Sequence, residues 1–521
     1  MLATFRWLYL GVVPLELAAD EAYYWDWSRQ LDWGYYSKPP MIAWIAALTT
    51  QLGGNSAWAL RTPAVLCGAM ALWGVFATAR SLYDERVGWW AFLIAAATPG
   101  NAAMSLFMTI DAPFLCAWSF AVWCVWELFG KERSSRVWLP LAILCTGLGL
   151  LSKQTMLALI PLTGAWLATR KQAGHPFPGW KFATWTGGSL LFCLPAFVWN
   201  FRNDWLTVHH TREHFQWRAL DGLKQLSLYL EFSASQAGIV SPLTYVLATV
   251  LCLIALLKWR SLPDRERFLL SLGVVPLLAI TVLSFIQRVQ PNWPVAFHMT
   301  GMILLAAWSR QAWSTRSFFD RYRGTVPWGM GVGCAFLMLF YAMPMAMPQM
   351  SWVGTALDPL SRLRGWKQIA TDVDAIRGEV RQGKTPLLVT MTGRGLVSQL
   401  AFYLPDHPRV YHWNAAGTIV SQHDVWGGPQ DCAGRDALII LPAEEPVPSP
   451  FAAACETLTP VGRVRQERGG QRYDDFDIWI GRNLQIWPAP NPSKTGSKEP
   501  ISPRHTDAPI ASKNLPEELR R

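Results

Sequence analysis

Long apolar segments separated by short basic stretches constrain the fold of this chain more than any other feature. A helix needs about 20 apolar residues to cross the hydrocarbon core of a bilayer. The sequence of 521 residues contains eleven candidate segments, which are 2–17, 60–79, 87–106, 111–129, 137–151, 155–168, 182–201, 238–257, 268–286, 293–308 and 326–347. Because the backbone must satisfy its own hydrogen bonds in lipid, the pattern predicts an α-helical polytopic membrane protein with about eleven spans.

The composition supports this class and excludes others. Hydrophobic residues make up 51% of the chain and charged residues 16%, whereas soluble domains carry roughly 25% charged residues. A soluble enzyme, a disordered chain and a nucleic-acid-binding module are therefore excluded. The 30 Trp, 24 Phe and 13 Tyr residues suit the aromatic belts of a protein whose partner is a lipid bilayer.

The distribution of Lys and Arg predicts the orientation. Alternate loops between the predicted spans are basic, through Arg80, Arg86, Lys131, Arg133, Arg136, Arg170, Lys171, Lys181, Lys258, Arg260, Arg265, Arg267, Arg310, Arg316, Arg321 and Arg323. Basic loops remain in the cytoplasm, so the long segments 18–59 and 200–237 are predicted to be external. With an odd number of spans, everything after residue 348 is external as well. Residues 41–52 are apolar but too short to span, which indicates an interfacial helix.

The chain changes character after the last span. Residues 1–348 are predicted to form the membrane domain, and 349–487 a small external α/β domain, with helices at 366–381 and 396–404 and strands at 386–392, 409–413 and 437–441. Residues 488–521 are rich in Pro, Ser, Lys and Glu, which indicates a disordered tail. Cys432 and Cys455 lie in the external domain. They pair only if their geometry allows it, and the sequence leaves both states open.

The first external segment combines acidic and aromatic residues. Adjacent carboxylates at the outer end of a span, Asp20 and Glu21, suit general-base or metal chemistry. The aromatic residues that follow would form a platform for a substrate, and they are Tyr23, Tyr24, Trp25, Tyr35 and Tyr36. An interfacial aromatic belt with ordinary solvated acids explains the same residues with equal weight.

Other polar candidates lie on the same predicted face. Lys38 precedes two prolines that fix an extended turn, so it either binds a lipid phosphate or extends to the headgroups. Asp111 opens a predicted helix, where a capping role is also expected. Lys153 departs from the positive-inside trend, which favours a phosphate-binding role. In the second external segment, Arg202, Arg212 and Arg218 are candidates to clamp a phosphate, and the neighbouring His and Glu residues leave metal binding or a solvated loop open.

The motifs together resemble a known family. The segments 20–25 and 34–40 resemble the first external loop of bacterial family 39-type glycosyltransferases, which include protein O-mannosyltransferases and the aminoarabinose transferase of lipid A. Shorter segments, 109–113, 151–153, 198–200, 400–404 and 411–414, resemble the same family in the same order. The resemblance covers almost the whole chain except the tail.

The resemblance implies a GT-C fold, a polyprenyl-phosphate sugar donor and an envelope acceptor, which is lipid A or lipopolysaccharide, another glycolipid, or a protein. It implies inverting transfer in one step, with Asp20 as the base and Glu21 and Asp111 in support. Lys38, Lys153 and the arginines would neutralise the donor phosphate. Ser37 stands where the aminoarabinose transferases carry a Glu associated with metal binding, so the need for a divalent cation stays open.

The family also implies a place in the cell, which is the bacterial inner membrane with the C-terminal domain in the periplasm. A polytopic lipid or solute transporter is the rival interpretation, because it would have the same spans and basic loops. Transporters place ionisable groups near the bilayer midplane. Here the acidic residues cluster at one predicted face, which favours an enzyme.

Overall fold

The computed structural model describes residues 1–490 except 214, 216–220, 314–316, 348–349, 351–352, 354, 356–357 and 469–470. The chain divides into two compact units. The first, here called the membrane bundle, comprises Met1–Pro14 and Trp27–Met345. The second, here called the C-terminal domain, comprises Leu15–Asp26 and the described residues from Ala346 onward. The predicted tail, 488–521, lies almost entirely outside the described residues.

The membrane bundle is built from helices. They are α1 Leu2–Val12, α3 Met41–Gly53, α4 Ala57–Leu82, α5 Glu85–Ala96, α6 Pro99–Leu106, α7 Asp111–Val125, α8 Ser135–Ser152, α9 Leu159–Gln172, α10 Gly179–Leu190, α11 Leu194–Arg202, α12 Leu206–Glu213, α13 Gly222–Val240, α14 Pro242–Leu257, α15 Asp264–Leu269, α16 Val275–Ser284, α17 Val295–Ser309 and α18 Val326–Ala346. Helix α2, Ala19–Ser28, crosses from the C-terminal domain into the bundle. Single π-turns, Trp126–Gly130 and Leu270–Val274, extend α7 and join α15 to α16.

Several helical segments are long and apolar enough to span a membrane. Within the described residues there are six, or seven if the bent pair α13–α14 is one span. The six are Ala57–Leu82, Asp111–Gly130, Ser135–Ser152, Gly179–Arg202, Asp264–Ser284 and Phe318–Ala346. The prediction of a multi-pass helical membrane protein is confirmed. The other predicted segments are also largely helical, but their helices are shorter, as in α1, or interrupted.

Capping residues explain an interruption. The predicted span 87–106 is two helices, α5 and α6, because Thr98 begins a new helix. Its side chain accepts a hydrogen bond from the backbone N–H of Asn101, and Pro99 takes the first helical position, where a missing N–H costs nothing.

The second segment that the sequence predicts to be external, 200–237, is partly helical in its described residues. It contains α12 and most of α13, and α13 meets α14 at an angle of 109°. Ser241 stands at the bend with a φ of +83° and precedes Pro242. Proline cannot continue a preceding helix, since it lacks an N–H and clashes with the turn before it. The sequence prediction missed α13 because its polar residues mask its helical pattern.

The C-terminal domain carries a five-stranded mixed sheet. The strands are β1 Leu387–Thr390, β2 Val410–His412, β3 Arg435–Pro442, β4 Thr457–Arg468 and β5 Gln471–Leu484, in the order β2-β1-β3-β5-β4. Strand β1 runs parallel to β2 and β3, while β5 runs antiparallel to β3 and β4. The helices α19 Trp366–Val380, α20 Arg394–Tyr403, α21 Gln422–Trp426 and α22 Ser449–Ala453 complete the domain.

The predicted elements of this domain are confirmed, and a hairpin is added. The helices α19 and α20 and the strands β1, β2 and β3 lie where the sequence predicted them. The hairpin of β4 and β5 was missed, because its many Arg, Asp and Gln residues hide a half-buried strand pattern. The core gathers Val389, Ile439 and Phe451, all buried. Cys432 and Cys455 are both free thiols.

Candidate active site

A buried ion pair lies at the start of α7 in the membrane bundle. Asp111 is the first residue of the helix, and its Oδ1 atom lies 2.7 Å from Nζ of Lys153. Lys153 lies in extended backbone directly after α8, and its side chain is 9% exposed. Its Nζ atom also lies 5.4 Å from the centre of the Phe114 ring. The structure thus brings together two residues that the sequence placed on one face.

A third residue completes this cluster. The side-chain amide of Asn292 donates a hydrogen bond of 2.7 Å to Oδ2 of Asp111. Both carboxylate oxygens therefore have a donor, as a buried charge requires. Sequence reasoning missed Asn292, although its position between Pro291 and Pro294, just before α17, was a signal for a fixed backbone.

The polar network continues into the bundle. The carbonyl of Pro291 accepts a hydrogen bond of 3.1 Å from Gln236 of α13. Gln236 in turn lies 3.0 Å from Nε2 of His298 in α17. His298 borders a cavity of about 40 Å³ that is also lined by Thr98 and Asn101, which is room for a few water molecules.

The loop after α2 is rigid. The rings of Trp27 and Tyr35 stack with centroids 4.4 Å apart. Tyr35 is fully buried, and burial raises the pKa of its phenol. Its backbone N–H donates to the carbonyl of Lys38, which closes the turn ahead of Pro39 and Pro40. Helix α3 begins at the next residue, and Lys38 is half-buried.

The two segments predicted to be external meet within the bundle. Nε1 of Trp199 donates to Oδ2 of Asp32 at 2.9 Å, and the Thr207 hydroxyl donates to the Tyr35 carbonyl at 3.0 Å. The ring of Tyr36 lies 4.7 Å from that of His210. Tyr35 and Tyr36 thus join the first segment to α12, which the sequence did not predict.

The arginine candidates lie at helix ends. Arg202 ends α11 and Arg212 lies in the last turn of α12, and both are exposed. Arg218 lies outside the described residues. In the part of the chain that the structure describes, no three His, Cys, Asp or Glu residues form a group suited to a metal ion. No chemical step is therefore assigned to a divalent cation.

The acidic pair Asp20 and Glu21 belongs to the C-terminal domain. Oδ1 of Asp20 lies 2.8 Å from Nη2 of Arg394, and both side chains are about half exposed, at 48% and 45%. The Arg394 guanidinium also lies 4.8 Å from the centre of the Tyr23 ring. Glu21 is buried, and its Oε2 atom accepts a hydrogen bond from the Ala18 N–H at the start of α2.

The aromatic residues of α2 pack into the same domain. Tyr23 accepts a hydrogen bond from the backbone N–H of Gln422, and Trp25 packs edge-on against Phe402. Tyr24 is buried as well. Sequence reasoning missed Arg394 as a partner of Asp20, although an arginine shortly after the carboxyl end of a parallel strand is a positional signal for a site.

Comparisons with known proteins agree with this architecture. Residues 37–199 match the family described as dolichyl-phosphate-mannose-protein mannosyltransferases. A lipid A galacturonosyltransferase, RgtD of Rhizobium johnstonii, is 31% identical over 306 residues, which are 58% of this chain and 62% of the relative. The chain thus aligns with less than two thirds of that relative's length.

The solved structures decide the fold. ArnT from Cupriavidus metallidurans in the apo state superposes with a TM-score of 0.60 at 15% identity, covering 92% of this chain and 96% of ArnT. The structure of ArnT bound to undecaprenyl phosphate gives a TM-score of 0.58 at 17% identity, covering 91% and 96%. The fold is that of the GT-C glycosyltransferases. The resemblance and the fold class that the sequence predicted are therefore confirmed.

Proposed function

We propose that this protein is an inverting glycosyltransferase that moves a sugar from a polyprenyl-phosphate donor to an envelope acceptor. The observation that carries the proposal is the buried cluster of Asp111, Lys153 and Asn292 within a bundle that has the fold of ArnT. Charged groups inside a membrane protein are costly and are retained for function. The similarity to a lipid A galacturonosyltransferase supports lipid A as the first acceptor to test.

The reaction needs a base for the acceptor and cations for the leaving group. The acceptor oxygen attacks the anomeric carbon, the bond from that carbon to the phosphate oxygen breaks, and the acceptor proton passes to Asp20. Polyprenyl phosphate leaves as a stable anion, so no strong general acid is needed. Asp20 is assigned as the base, with Glu21 holding the start of its helix.

Cationic side chains are assigned to the phosphate. Lys38, Lys153, Arg202, Arg212 and Arg218 are the candidates that would offset charge as it grows on the leaving group. An ammonium has three donors, so the contact of Lys153 with Asp111 leaves donors for a phosphate oxygen. Asp111 and Asn292 would hold Lys153 in place and supply the counter-charge before the donor binds.

The proposed setting is the periplasmic face of a bacterial inner membrane, with the C-terminal domain in the periplasm. Polyprenyl-phosphate sugars and lipid A would both be available to such a protein at that face. The substrate platform stays a proposal for the aromatic residues Tyr23, Tyr24, Trp25, Tyr35 and Tyr36. Because Tyr35 is fully buried, its part in this proposal is to support the loop from its inner side.

Transfer by the purified full-length protein tests the proposal. Undecaprenyl-phosphate galacturonate and lipid A are the first donor and acceptor, and mass spectrometry of envelope glycolipids from cells with and without the protein identifies others. Product formed in detergent solution, where nothing is transported, supports an enzyme. If the glycolipids differ between cells with and without the protein, but the purified protein forms no product from the corresponding donor and acceptor, the transporter interpretation is correct.

A matched pair of variants tests the base. We expect Asp20→Asn to abolish transfer while the protein still folds, because an amide cannot take the acceptor proton. Asp372→Asn is the control, since Asp372 is a half-buried residue of α19 and accepts a hydrogen bond only from Gln368 among the described residues. Undiminished transfer by Asp20→Asn would refute the assignment.

A further inference from the structure

The segment that carries Asp20 is fastened to the C-terminal domain before α2 begins. The Leu17 N–H donates to the Tyr403 hydroxyl at 2.7 Å, and the Leu17 carbonyl accepts from the Gln399 amide at 2.8 Å. One residue earlier, the Glu16 carboxylate accepts from the backbone N–H of Trp366 at 2.6 Å. These bonds come from two helices, α19 and α20, so the approach to α2 is fixed from two sides.

The same domain also fastens the far end of α2. Oδ2 of Asp26 lies 2.8 Å from Nε2 of His423, and both residues are buried. Ser398 approaches that same nitrogen at 3.5 Å. Because the serine and the carboxylate share one ring nitrogen, the arrangement cannot work as a nucleophilic triad, in which the histidine uses both nitrogens. It is a structural anchor.

Between these anchors, the carboxylate of Asp20 meets the guanidinium of Arg394. Arg394 is the first residue of α20, and its Nη2 atom lies 2.8 Å from Oδ1 of Asp20. The Arg394 guanidinium also lies over the Tyr23 ring, 4.8 Å from its centre. Tyr24 of α2 also acts electrostatically on Arg394, and the neighbouring Glu21 accepts a hydrogen bond from the Ala18 N–H.

We propose that Arg394 is a positioning residue, through which the C-terminal domain directs the Asp20 carboxylate for the transfer reaction. The proposal rests on the assignment of Asp20 as the base. Arg394 occupies Oδ1, and a carboxylate has acceptor sites on both oxygens. Oδ2 is then the oxygen that takes the proton of the acceptor hydroxyl as the new glycosidic bond forms and the bond to the donor phosphate breaks.

Stability alone does not explain the pair. Ion pairs between half-exposed side chains contribute little to folding, and the buried contacts of Leu17, Trp25 and Asp26 already fasten the segment. What Arg394 adds is direction and charge at one carboxylate. Small displacements of a reacting group cost about 10²-fold in rate, so a residue with little effect on stability has a large effect on transfer.

Two variants of Arg394 and one control test this role in the full-length protein. We expect Arg394→Gln to lower kcat by about 10- to 100-fold with KM nearly unchanged. Arg394→Lys keeps the charge and is expected to recover part of the loss. Arg463→Gln is the control. It removes an ion pair with Asp477 in the β4–β5 hairpin, and we expect kcat and KM to stay at their wild-type values.

A chemical readout makes the test independent of the substrate. Carbodiimides modify accessible carboxyl groups, and peptide mass spectrometry reports the modified fraction of Asp20 at one fixed pH. We expect that fraction to rise in Arg394→Gln, because the guanidinium no longer covers Oδ1 of Asp20, and to stay at the wild-type level in Arg463→Gln. Wild-type kcat and wild-type modification in Arg394→Gln would overturn the positioning role, and so would a raised kcat. Full activity of Asp20→Asn would instead overturn the proposed base.

Discussion

The ammonium of Lys153 lies 2.7 Å from a carboxylate oxygen of Asp111, and both side chains are almost completely buried. Between α8 and the 3₁₀ turn Gln154–Ala158, the backbone is extended, which directs the lysine inward at the first residue of α7. A pair of this kind adds little net stability, because desolvation offsets the attraction, but removing one partner leaves an uncompensated charge. The pair is therefore sensitive to single changes.

We predict that Lys153→Met destabilises the protein by about 3–5 kcal/mol, because Asp111 is left buried without its cation. The double variant Lys153→Met/Asp111→Asn removes both charges and should recover much of that loss. Thermal unfolding of the purified variants in detergent measures both effects. A double variant no more stable than Lys153→Met would contradict this account, and transfer should be lost in both.

Asn292 gives a milder prediction. Asn292→Ala removes the donor to Oδ2 of Asp111, which costs about 1–3 kcal/mol when the acceptor stays buried. Asn292→Asp should be worse, because it places a second carboxylate against the first. The order wild type, Asn292→Ala, Asn292→Asp in melting temperature checks the prediction. If the two variants melted together, the amide would not be a donor to Asp111.

Gly34 provides a test of the contact between the loop after α2 and Trp199 of α11. A Cβ atom at this position would lie 2.9 Å from the Cβ of Trp199, which is too close for real atoms. We expect Gly34→Ala to destabilise the protein by about 1–3 kcal/mol, the typical cost of overpacking, and to reduce transfer. Gly187→Ala in α10 is the control, because nothing lies within 4 Å of the added atom. Equal melting temperatures for Gly34→Ala and Gly187→Ala would show that the loop around Gly34 moves to accommodate the added methyl group without a loss of stability.

The sequence predicts the parts of this site that depend on local pattern. The sequence predicts that Asp111 begins a helix, and the alternation of basic loops predicts that Lys153 lies on the same face. Apolar periodicity and proline positions carry that information. The contact itself follows from the way α7 and α8 pack.

Partners that are distant in sequence were missed for a physical reason. Asp26 and His423 are 397 positions apart, and nothing local in either segment specifies the other. The same holds for Asp20 and Arg394. The sequence analysis predicts that residues 18–59 form one external segment. In the structure, Leu15–Asp26 belongs to the C-terminal domain and the residues from Trp27 onward belong to the membrane bundle. A short helix that completes a distant domain carries no periodic signal of that role.

Asp424 predicts an acid-sensitive step in the C-terminal domain. Burial alone would raise the pKa of this carboxyl, but the hydrogen bond with His412 and those from Ser421 and Val420 outweigh it and hold the pKa below its ordinary value of 3.8. A group whose pKa is lowered by folding stabilises the folded state above its unfolded pKa, and that contribution is lost as the pH falls through the lower, folded value.

The expected result is a loss of stability that begins below about pH 4 and is weaker in Asp424→Asn. The variant should melt at a lower temperature than wild type at pH 7, because it loses a charged partner of His412 and a helix cap. The difference should shrink as the pH falls, since the wild-type carboxyl then becomes neutral too. Thermal unfolding from pH 3 to 7 measures this, with Asp372→Asn as the control. A difference in melting temperature between wild type and Asp424→Asn that stays constant from pH 3 to 7 would mean that the charge of Asp424 does not contribute to stability.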